Sequence, residues 1–479
     1  MKDNTFTITF KDFNAGFSPT AFVDSLTEVG GKGHASQMKN VDVLDGLLTQ
    51  GKGLANLTNG VLTEKINHIL DSAVTTDVSY AIGDTKFYQI TPTAVVDNAS
   101  FPHSLPHLTE VGRSVAHLRG HVYYFFADDD NLGTIGKYNI ENGTFDNTWS
   151  ILSTDITGAG TSLNGDLYPV ATKEDIMLFG NGRYVGVYLE NARSLNVQKL
   201  DFGENSEVAD VAFSGQWYIA VNKGANRTKA QIFLYEAGAL STLLDDEVAV
   251  GIQKIGFILP HNGVMWVAYE DESNEGFIIG YITGRTISPL VRYNGTLPNY
   301  QQKTFYKNTI SFLSSSLVYC AGAIVPEFPF ALSQYAKGGG TTAHAIGSPF
   351  GVPFVSSETS GAYRIAKFSG YETDAYWKSV SIPLSEGKNK ATILEIIVRT
   401  KALGANAKAT IKIQGDQGTK DGVELEITGT GKTRHYFSNI GLGKLEDIRA
   451  VVDFSEGSAV NPVIIRSITI NGVISEATS

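Results

Sequence analysis

The sequence predicts an all-β protein: a β-propeller of about seven blades, with six or eight also compatible, followed by a C-terminal antiparallel β-sandwich. The 479-residue chain contains 50 glycines and 14 prolines, which is typical of a protein with many turns. Its 25 Phe and 21 Tyr residues favour strands over helices. Short apolar runs alternate with turn residues, as in DIMLFGNGRYVGVYLENARSL, which begins at Asp175.

A strand, a turn and an aromatic strand recur along the first part of the chain. The recurrence can be followed through seven anchor residues: Phe87, Tyr124, Tyr184, Tyr218, Trp266, Val318 and Ile365. The spacing corresponds to roughly four strands per repeat, as in propeller blades. Radial packing of such sheets buries faces that one sheet alone would expose. We therefore expect residues 1–370 to form the propeller, with the strand Thr5–Phe10 completing the last blade.

The composition changes near Ser369 and Gly370. Beyond this point, short segments alternate apolar residues with Lys and Glu, and aromatic residues become scarce. This alternation is typical of antiparallel sheets with one solvated face. Residues 371–479 are therefore expected to form a β-sandwich of the jelly-roll or immunoglobulin-like type.

Charge and cysteine content exclude several classes of protein. The net charge of −11 does not favour nucleic-acid binding. The single cysteine, Cys320, cannot form an intramolecular disulfide, and its apolar surroundings favour a buried thiol. The first residues lack the basic and apolar regions of a signal peptide, and no apolar run is long enough for a transmembrane helix. We expect a protein made in the cytoplasm, with no signal peptide and no membrane insertion.

The sequence contains no pattern that predicts catalysis, a metal or a cofactor. There is no Gly-x-Ser-x-Gly motif and no sialidase-type Asp box. The acidic run Asp128–Asp130 lacks the spacing of an EF-hand, so a solvated turn is favoured over a Ca²⁺ site. Four histidines lie close together without the spacing of a zinc site: His103, His107, His117 and His121. We therefore expect no enzyme activity, no catalytic residues, no metal and no cofactor.

Two N-terminal segments and one later segment resemble segments of a known protein family. They are DFNAGF at Asp12–Phe17, MKNVDVLDGLL at Met38–Leu48 and LFGNGRY at Leu178–Tyr184. The first has the form acidic-Phe-x-x-Gly, and the second contains the pattern N-x-x-hydrophobic-x-D-G-x-L. Together they resemble the β-propeller virion proteins of tailed bacteriophages.

The resemblance implies a non-enzymatic structural component of a virion, associated with the tail or collar. Its expected partners are other virion proteins, docked through the propeller loops and the sandwich, and copies of itself on a symmetric particle axis. We expect the N-terminal arm to reach a neighbouring subunit through Phe13, Phe17 and Phe22. The position in the particle and the number of copies are left open.

One alternative function is recognition or cleavage of a carbohydrate on the host surface. Aromatic side chains at loop tips could stack on sugar rings, although packing against neighbouring strands or a partner protein is the more ordinary role. The residues are Tyr293, Tyr300, Tyr306, Phe328 and Phe330. A free-standing intracellular scaffold is a third alternative.

Overall fold

The structure, a computed structural model, confirms the all-β fold class. It describes residues 4–11, 13, 35–39, 41–43, 46–106, 111–127, 133–151, 167–224, 229–236, 239–244, 251–273, 275–307, 309–315, 317–322, 331–336, 342–384, 390–438 and 440–475. These residues contain no α-helix, and short 3-10 segments occur at Tyr300–Gln302 and Asp416–Gly418. No helix in the described ranges is long and apolar enough to cross a membrane.

Most of the strands belong to four-stranded antiparallel sheets. The strands up to residue 200 are β1 (Asn4–Phe10), β2 (Ala35–Lys39), β3 (Val41–Asp42), β4 (Leu48–Gln50), β5 (Gly53–Leu62), β6 (Ile66–Ile69), β7 (Ser79–Gly83), β8 (Lys86–Ile90), β9 (His103–Ser104), β10 (Val111–Leu118), β11 (His121–Ala127), β12 (Gly133–Asn139), β13 (Thr144–Ile151), β14 (Val170–Lys173), β15 (Ile176–Asn181), β16 (Tyr184–Leu189) and β17 (Ser194–Asp201). Those up to residue 370 are β18 (Ser206–Ser214), β19 (Gln216–Lys223), β20 (Lys229–Glu236), β21 (Ala239–Leu244), β22 (Ile252–His261), β23 (Val264–Asp271), β24 (Phe277–Thr283), β25 (Thr286–Tyr293), β26 (Lys303–Tyr306), β27 (Thr309–Ser314), β28 (Leu317–Gly322), β29 (Ala331–Ala336), β30 (Thr342–Gly347), β31 (Phe354–Thr359) and β32 (Ala362–Ser369).

The remaining strands lie in the C-terminal part of the chain. They are β33 (Tyr376–Ser379), β34 (Ile382–Pro383), β35 (Lys390–Thr400), β36 (Ala409–Gly415), β37 (Lys420–Asp421), β38 (Leu425–Ile427), β39 (Arg434–Phe437), β40 (Asp447–Asp453) and β41 (Ile464–Ser475).

Within the described residues, seven sheets have four strands each. Six consist of consecutive strands: β6–β9, β10–β13, β14–β17, β18–β21, β22–β25 and β26–β29. The seventh has the order β30-β31-β32-β5, so its last strand precedes the first strand of the first sheet. The sequence predicted that Thr5–Phe10 would complete this sheet. This prediction is wrong, because β1 pairs with β41 instead.

Local sequence explains the hairpins. The apolar runs Val208–Phe213 and Trp217–Val221 lie within β18 and β19. Gly215 between them has φ of 74°, a conformation that favours glycine in a tight turn. The same holds at Gly182, between β15 and β16, where φ is 59°.

The chain divides into two compact units. The blade unit, as we call it, comprises Asn56–Ser316 and Gly338–Lys367. The terminal unit comprises Met1–Ala55, Leu317–Lys337 and Phe368–Ser479. The sequence placed the whole of residues 1–370 in one domain, whereas the structure groups Met1–Ala55 and Leu317–Lys337, which contains β28 and β29, with the C-terminal residues.

In the blade unit, the first strands of successive sheets are neighbours. The contacts run from β6 to β10, β14, β18, β22, β26 and β30, and from β30 back to β6. Apolar side chains form separate clusters, each shared by two neighbouring sheets. Gly112 marks a close approach between sheets, since a Cβ there would lie 2.3 Å from the Gly83 carbonyl oxygen.

The terminal unit contains two larger sheets. One has the order β3-β4-β41-β35-β39, with β1 also on β41; the other has the order β2-β33-β40-β36-β37, with β34 on β40 and β38 on β36. Residues of both sheets belong to one hydrophobic cluster. At its centre, the buried Trp377 contacts the rings of Phe10 and Phe13 edge-on, at centroid distances of 5.8 and 5.2 Å.

Candidate functional site: a polar cavity among the first strands of the sheets

A cavity of about 210 Å³ lies among the first strands of the blade unit. Its walls come from β10, β14, β18 and β22, from the end of β6 and from the segment around Tyr300–Lys303. Polar side chains on this wall are His68, Asp71, Ser72, His117, Thr172, Asp210, Tyr300 and Lys303. Residues far apart in sequence therefore meet around one cavity, whose wall is partly polar and partly apolar.

Asp210 and Lys303 form an ion pair in the wall of the cavity. The Lys303 ammonium donates to Asp210 Oδ2 and, over 2.7 Å, to the carbonyl oxygen of Ile258. The amides of Val211 and Ile258 donate to the two oxygens of Asp210 over 2.9 and 2.8 Å. Only 2% of the Asp210 side chain and 11% of the Lys303 side chain are exposed. Burial raises the pKa of Asp210, and the Lys303 charge opposes this rise.

Asp71, immediately after β6, is a second carboxyl group of the cavity. Its Oδ1 accepts hydrogen bonds from the Thr304 hydroxyl over 2.6 Å and from the Ser348 amide over 3.3 Å. Burial raises the pKa of Asp71 to about 6, against the opposing effects of the Thr304 hydrogen bond and the Lys303 charge. This carboxyl group therefore changes charge close to neutral pH.

His68, on β6, is a neutral ring at neutral pH. The amide of Val115 donates to His68 Nδ1 over 3.1 Å, so the ring proton lies on Nε2. Burial, and secondarily the Lys303 charge, lower the pKa of His68 to about 3. The Tyr300 ring lies beside it, with the two centroids 5.9 Å apart.

Tyr300 connects separate segments of the blade unit. Its hydroxyl donates to the carbonyl oxygen of Arg113 over 3.1 Å and accepts from the Tyr168 amide over 3.3 Å. Burial raises the pKa of Tyr300. The Tyr300 ring is only 3% exposed, so it packs in the protein interior, where its hydroxyl group has hydrogen-bond partners.

The structure corrects the prediction that the tyrosines named above are exposed at loop tips. Tyr293, Tyr300 and Tyr306 are 8%, 3% and 5% exposed, so none is available to stack on a sugar in solution. Tyr293 packs against Phe277 and Phe312. Their burial follows from the large apolar area of a tyrosine ring, which outweighs its position near a predicted turn. Phe328 and Phe330 lie outside the described residues.

The prediction for the N-terminal arm is also corrected, for the one of its three named residues that the structure describes. Phe13 was expected to reach a neighbouring subunit, but it is fully buried against Trp377 of the same chain. A buried aromatic ring contributes more inside its own core than it would at an exposed contact. Phe17 and Phe22 lie outside the described residues.

The clustered histidines occupy different surroundings. His103 stacks on Phe145, His117 Nε2 bonds to the carbonyl oxygen of Arg119, and His121 Nδ1 lies 3.6 Å from a Glu190 oxygen. Among the described residues, no group of three His, Cys, Asp or Glu side chains could hold a metal ion. His107 and Asp128–Asp130 lie outside the described residues. Cys320 is buried, as expected.

Sequence reasoning missed the cavity, although one signal was available. Asp210 interrupts the apolar run Val208–Phe213, and a charged residue at a buried strand position requires a partner. The partner, Lys303, lies on another sheet, so only the fold reveals the pair.

No family model matches the chain, and no curated protein matches it in sequence. One similar solved structure is an extracellular domain assigned to a hybrid two-component system of B. thetaiotaomicron, at 10% identity and a TM-score of 0.44; the match covers 76% of this chain and 44% of that one. Another is PorZ, a surface component of the type-IX secretion system of Porphyromonas gingivalis, at 9% identity and a TM-score of 0.39, covering 72% and 44%. A third is an exo-β-1,3-galactanase from Phanerochaete chrysosporium, at 9% identity and a TM-score of 0.30, covering 88% and 99%. The chain thus spans less than half the length of the first two structures, and likenesses this distant carry no argument about function.

Proposed function

We propose that the seven four-stranded sheets are the blades of a β-propeller and that the two sheets of the terminal unit form an antiparallel β-sandwich. The closed series of contacts among first strands, from β6 to β30 and back to β6, supports the propeller. The completion of the last sheet by β5 supports a closed ring. The single apolar cluster shared by two sheets supports the sandwich. A crystal structure that shows another number of blades would overturn this architecture.

We further propose that the protein is a non-enzymatic structural component of a bacteriophage virion, associated with the tail or collar. It docks other virion proteins through propeller loops and the sandwich, as a homo-oligomer on a symmetry axis.

The observation that carries this proposal is the use of buried polar groups to join neighbouring sheets. Asn222 of β19 bonds to both backbone groups of Ile255 in β22, and Asn67 of β6 donates to the carbonyl oxygen of Gly112 in β10. Such bonds suit a rigid scaffold. The N-terminal resemblance to phage propeller proteins supplies the virion context.

The test is to look for the protein in purified particles. Mass spectrometry should detect it in stoichiometric amount after the particles are washed, and immunogold electron microscopy should place the label at one end of the tail or at the collar. Host lysate without particles, mixed with the recombinant protein and purified identically, controls for adhering protein. Absence from the washed particles would overturn the virion assignment.

A carbohydrate-binding or glycan-cleaving role is the second candidate, and one observation favours it. Tyr436 on β39 is 58% exposed, and the Arg434 guanidinium lies 4.4 Å from its ring centroid. An exposed aromatic ring with a neighbouring hydrogen-bond donor can stack on a sugar. A glycan array should then give a signal that Tyr436→Ala removes, and a reducing-sugar assay separates cleavage from binding. A blank array with folded protein removes this candidate.

A further inference from the structure

We propose that the cavity of the blade unit binds a small organic ammonium ion, with Asp71 as its counter-ion. This proposal is independent of the virion assignment. It rests on the distribution of charge around the cavity and on the size of the cavity.

The two carboxyl groups of the cavity are not equivalent. Lys303 donates directly to Asp210 and so neutralises it within the wall. The hydrogen bonds that Asp71 accepts from the described residues come from neutral donors, the hydroxyl of Thr304 and the amide of Ser348, and both end on Oδ1. When Asp71 is ionised, the cavity therefore carries one net negative charge.

The other titratable groups that line the cavity do not supply a balancing positive charge. They are His68, His117 and Tyr300, besides Asp210 and Lys303. His68 accepts a hydrogen bond at Nδ1 and is neutral, and burial lowers the pKa of His117 as well. Burial raises the pKa of Tyr300, so its hydroxyl stays protonated. The Lys303 charge offsets the cost of ionising Asp71 only in part, because Lys303 is paired with Asp210, and a bound cation would remove the remaining cost.

The size and lining of the cavity favour an organic cation over a metal ion. At about 210 Å³, it has the liquid volume of roughly seven water molecules, well above that of a bare ion. A divalent metal ion would need about six oxygen ligands at short range, whereas the lining supplies two carboxyl groups, one of them already paired with Lys303. Tyr300 and Phe213 line the same space together with aliphatic residues, so part of the wall suits the alkyl group of an organic cation.

The experiment is calorimetric titration of the full-length protein with propylammonium chloride, at constant ionic strength. We expect binding at about pH 7.5 and roughly tenfold weaker binding at about pH 5, because a carboxyl group with a pKa of about 6 is then mostly protonated. Asp71→Asn should abolish binding, since Asn keeps an oxygen for Thr304 and Ser348 but carries no charge. Asp77→Asn, at an exposed carboxyl group six positions away, is the matched control and should bind normally.

Several results would overturn the proposal. These are equal binding of 1-propanol, tighter binding of Ca²⁺, unchanged binding by Asp71→Asn, and no heat from propylammonium at millimolar concentration. The pH dependence of the wild-type protein keeps the test decisive even if the variant fails to fold.

Discussion

The two units of the chain build their stability in different ways. In the blade unit, all but one of the four-stranded sheets form from strands adjacent in sequence, and small apolar clusters and buried polar bonds join neighbouring sheets. In the terminal unit, distant strands pair, so that Thr9 and Thr469 meet although they lie 460 positions apart. One continuous apolar core then holds both sheets. The blade unit should therefore be sensitive to the loss of charge partners and close contacts, and the terminal unit to the loss of a strand.

The largest effect should come from removing β1. Deletion of Met1–Phe10 takes Phe6, Ile8 and Phe10 out of the terminal core, where all three are buried. At about 1.5–3 kcal/mol for each side chain, the loss is roughly 5–9 kcal/mol, comparable to the whole stability of a domain. Calorimetry and limited proteolysis should show the terminal unit unfolded and the five sheets from β6 to β25 intact. The control, Thr5→Ala with Thr7→Ala on the exposed face of β1, should change little. An unchanged melting profile in the deletion variant would contradict the expectation that the terminal unit is sensitive to the loss of a strand.

Breaking the buried ion pair should be the next largest effect. Lys303→Met leaves the Asp210 carboxylate enclosed without its cation and should cost about 3–5 kcal/mol in the free energy of unfolding. Denaturant titration measures it, and adding Asp210→Asn should recover part of the loss. Lys39→Met is the matched control, because its partner Asp374 has a side chain that is 72% exposed, and it should cost less than about 1 kcal/mol. Equal costs for the two lysines would show that burial of the pair is irrelevant.

A substitution at the close approach between sheets should have a smaller effect on the free energy of unfolding. Gly112→Ala would place a methyl group 2.3 Å from both the Gly83 oxygen and Ile82 Cγ1, so the backbones must separate. We expect a loss of about 1–3 kcal/mol by denaturant titration. Gly120→Ala, with no atom within 4 Å of the added Cβ, should be close to neutral. If Gly112→Ala is also neutral, the sheets are not as tightly apposed as described.

The smallest effect concerns pH. Asp71 has a folded-state pKa of about 6, raised from 3.8, so the native state binds the extra proton and stability falls as pH rises through this range. His68 has a folded-state pKa of about 3, lowered from 6.5, so the unfolded state binds the extra proton and stability rises over an overlapping range. The two effects oppose each other between about pH 4 and pH 6, and wild-type stability should change little.

Single substitutions should expose the two opposing contributions. In the same pH range, Asp71→Asn should leave a stability that rises with pH, and His68→Asn one that falls, each by up to about 1 kcal/mol per pH unit. Denaturant titrations at several pH values, without added amines, measure these slopes. Parallel profiles for both variants and the wild type would show that neither group titrates as described.

Local structure could be predicted from the sequence, and long-range pairing could not. The turn at Ser214 and Gly215 follows from residues that adopt the required backbone angles, whatever the rest of the chain does. The pairing of β1 with β41 depends on how buried side chains fit together in a shared core, and alternation alone fits several partners equally well. The expected place of β1 in the last blade was wrong for this reason.

The candidate site shows the same limit. A charged residue within an apolar strand, such as Asp210, indicates a buried polar contact, but it does not name the partner. Tyr300 was expected at an exposed loop tip, yet its hydroxyl donates to the Arg113 carbonyl oxygen inside the protein. Convergence of His68, Asp71 and Lys303 on one cavity is a property of the closed series of sheets, which no single segment encodes.

The strand that completes the seventh sheet has a consequence for protein synthesis. β5 emerges from the ribosome some three hundred residues before its neighbour β32, since β5 ends at Leu62 and β32 begins at Ala362. The six sheets of consecutive strands can form as they emerge, whereas β5 must wait, with its edge unpaired, until the residues between it and β32 have been made. Nascent chains are therefore most exposed to edge-to-edge aggregation before residue 369 is made. Once β32 has been made, it can pair with β5 and complete the seventh sheet. The order of synthesis therefore sets when this sheet can form.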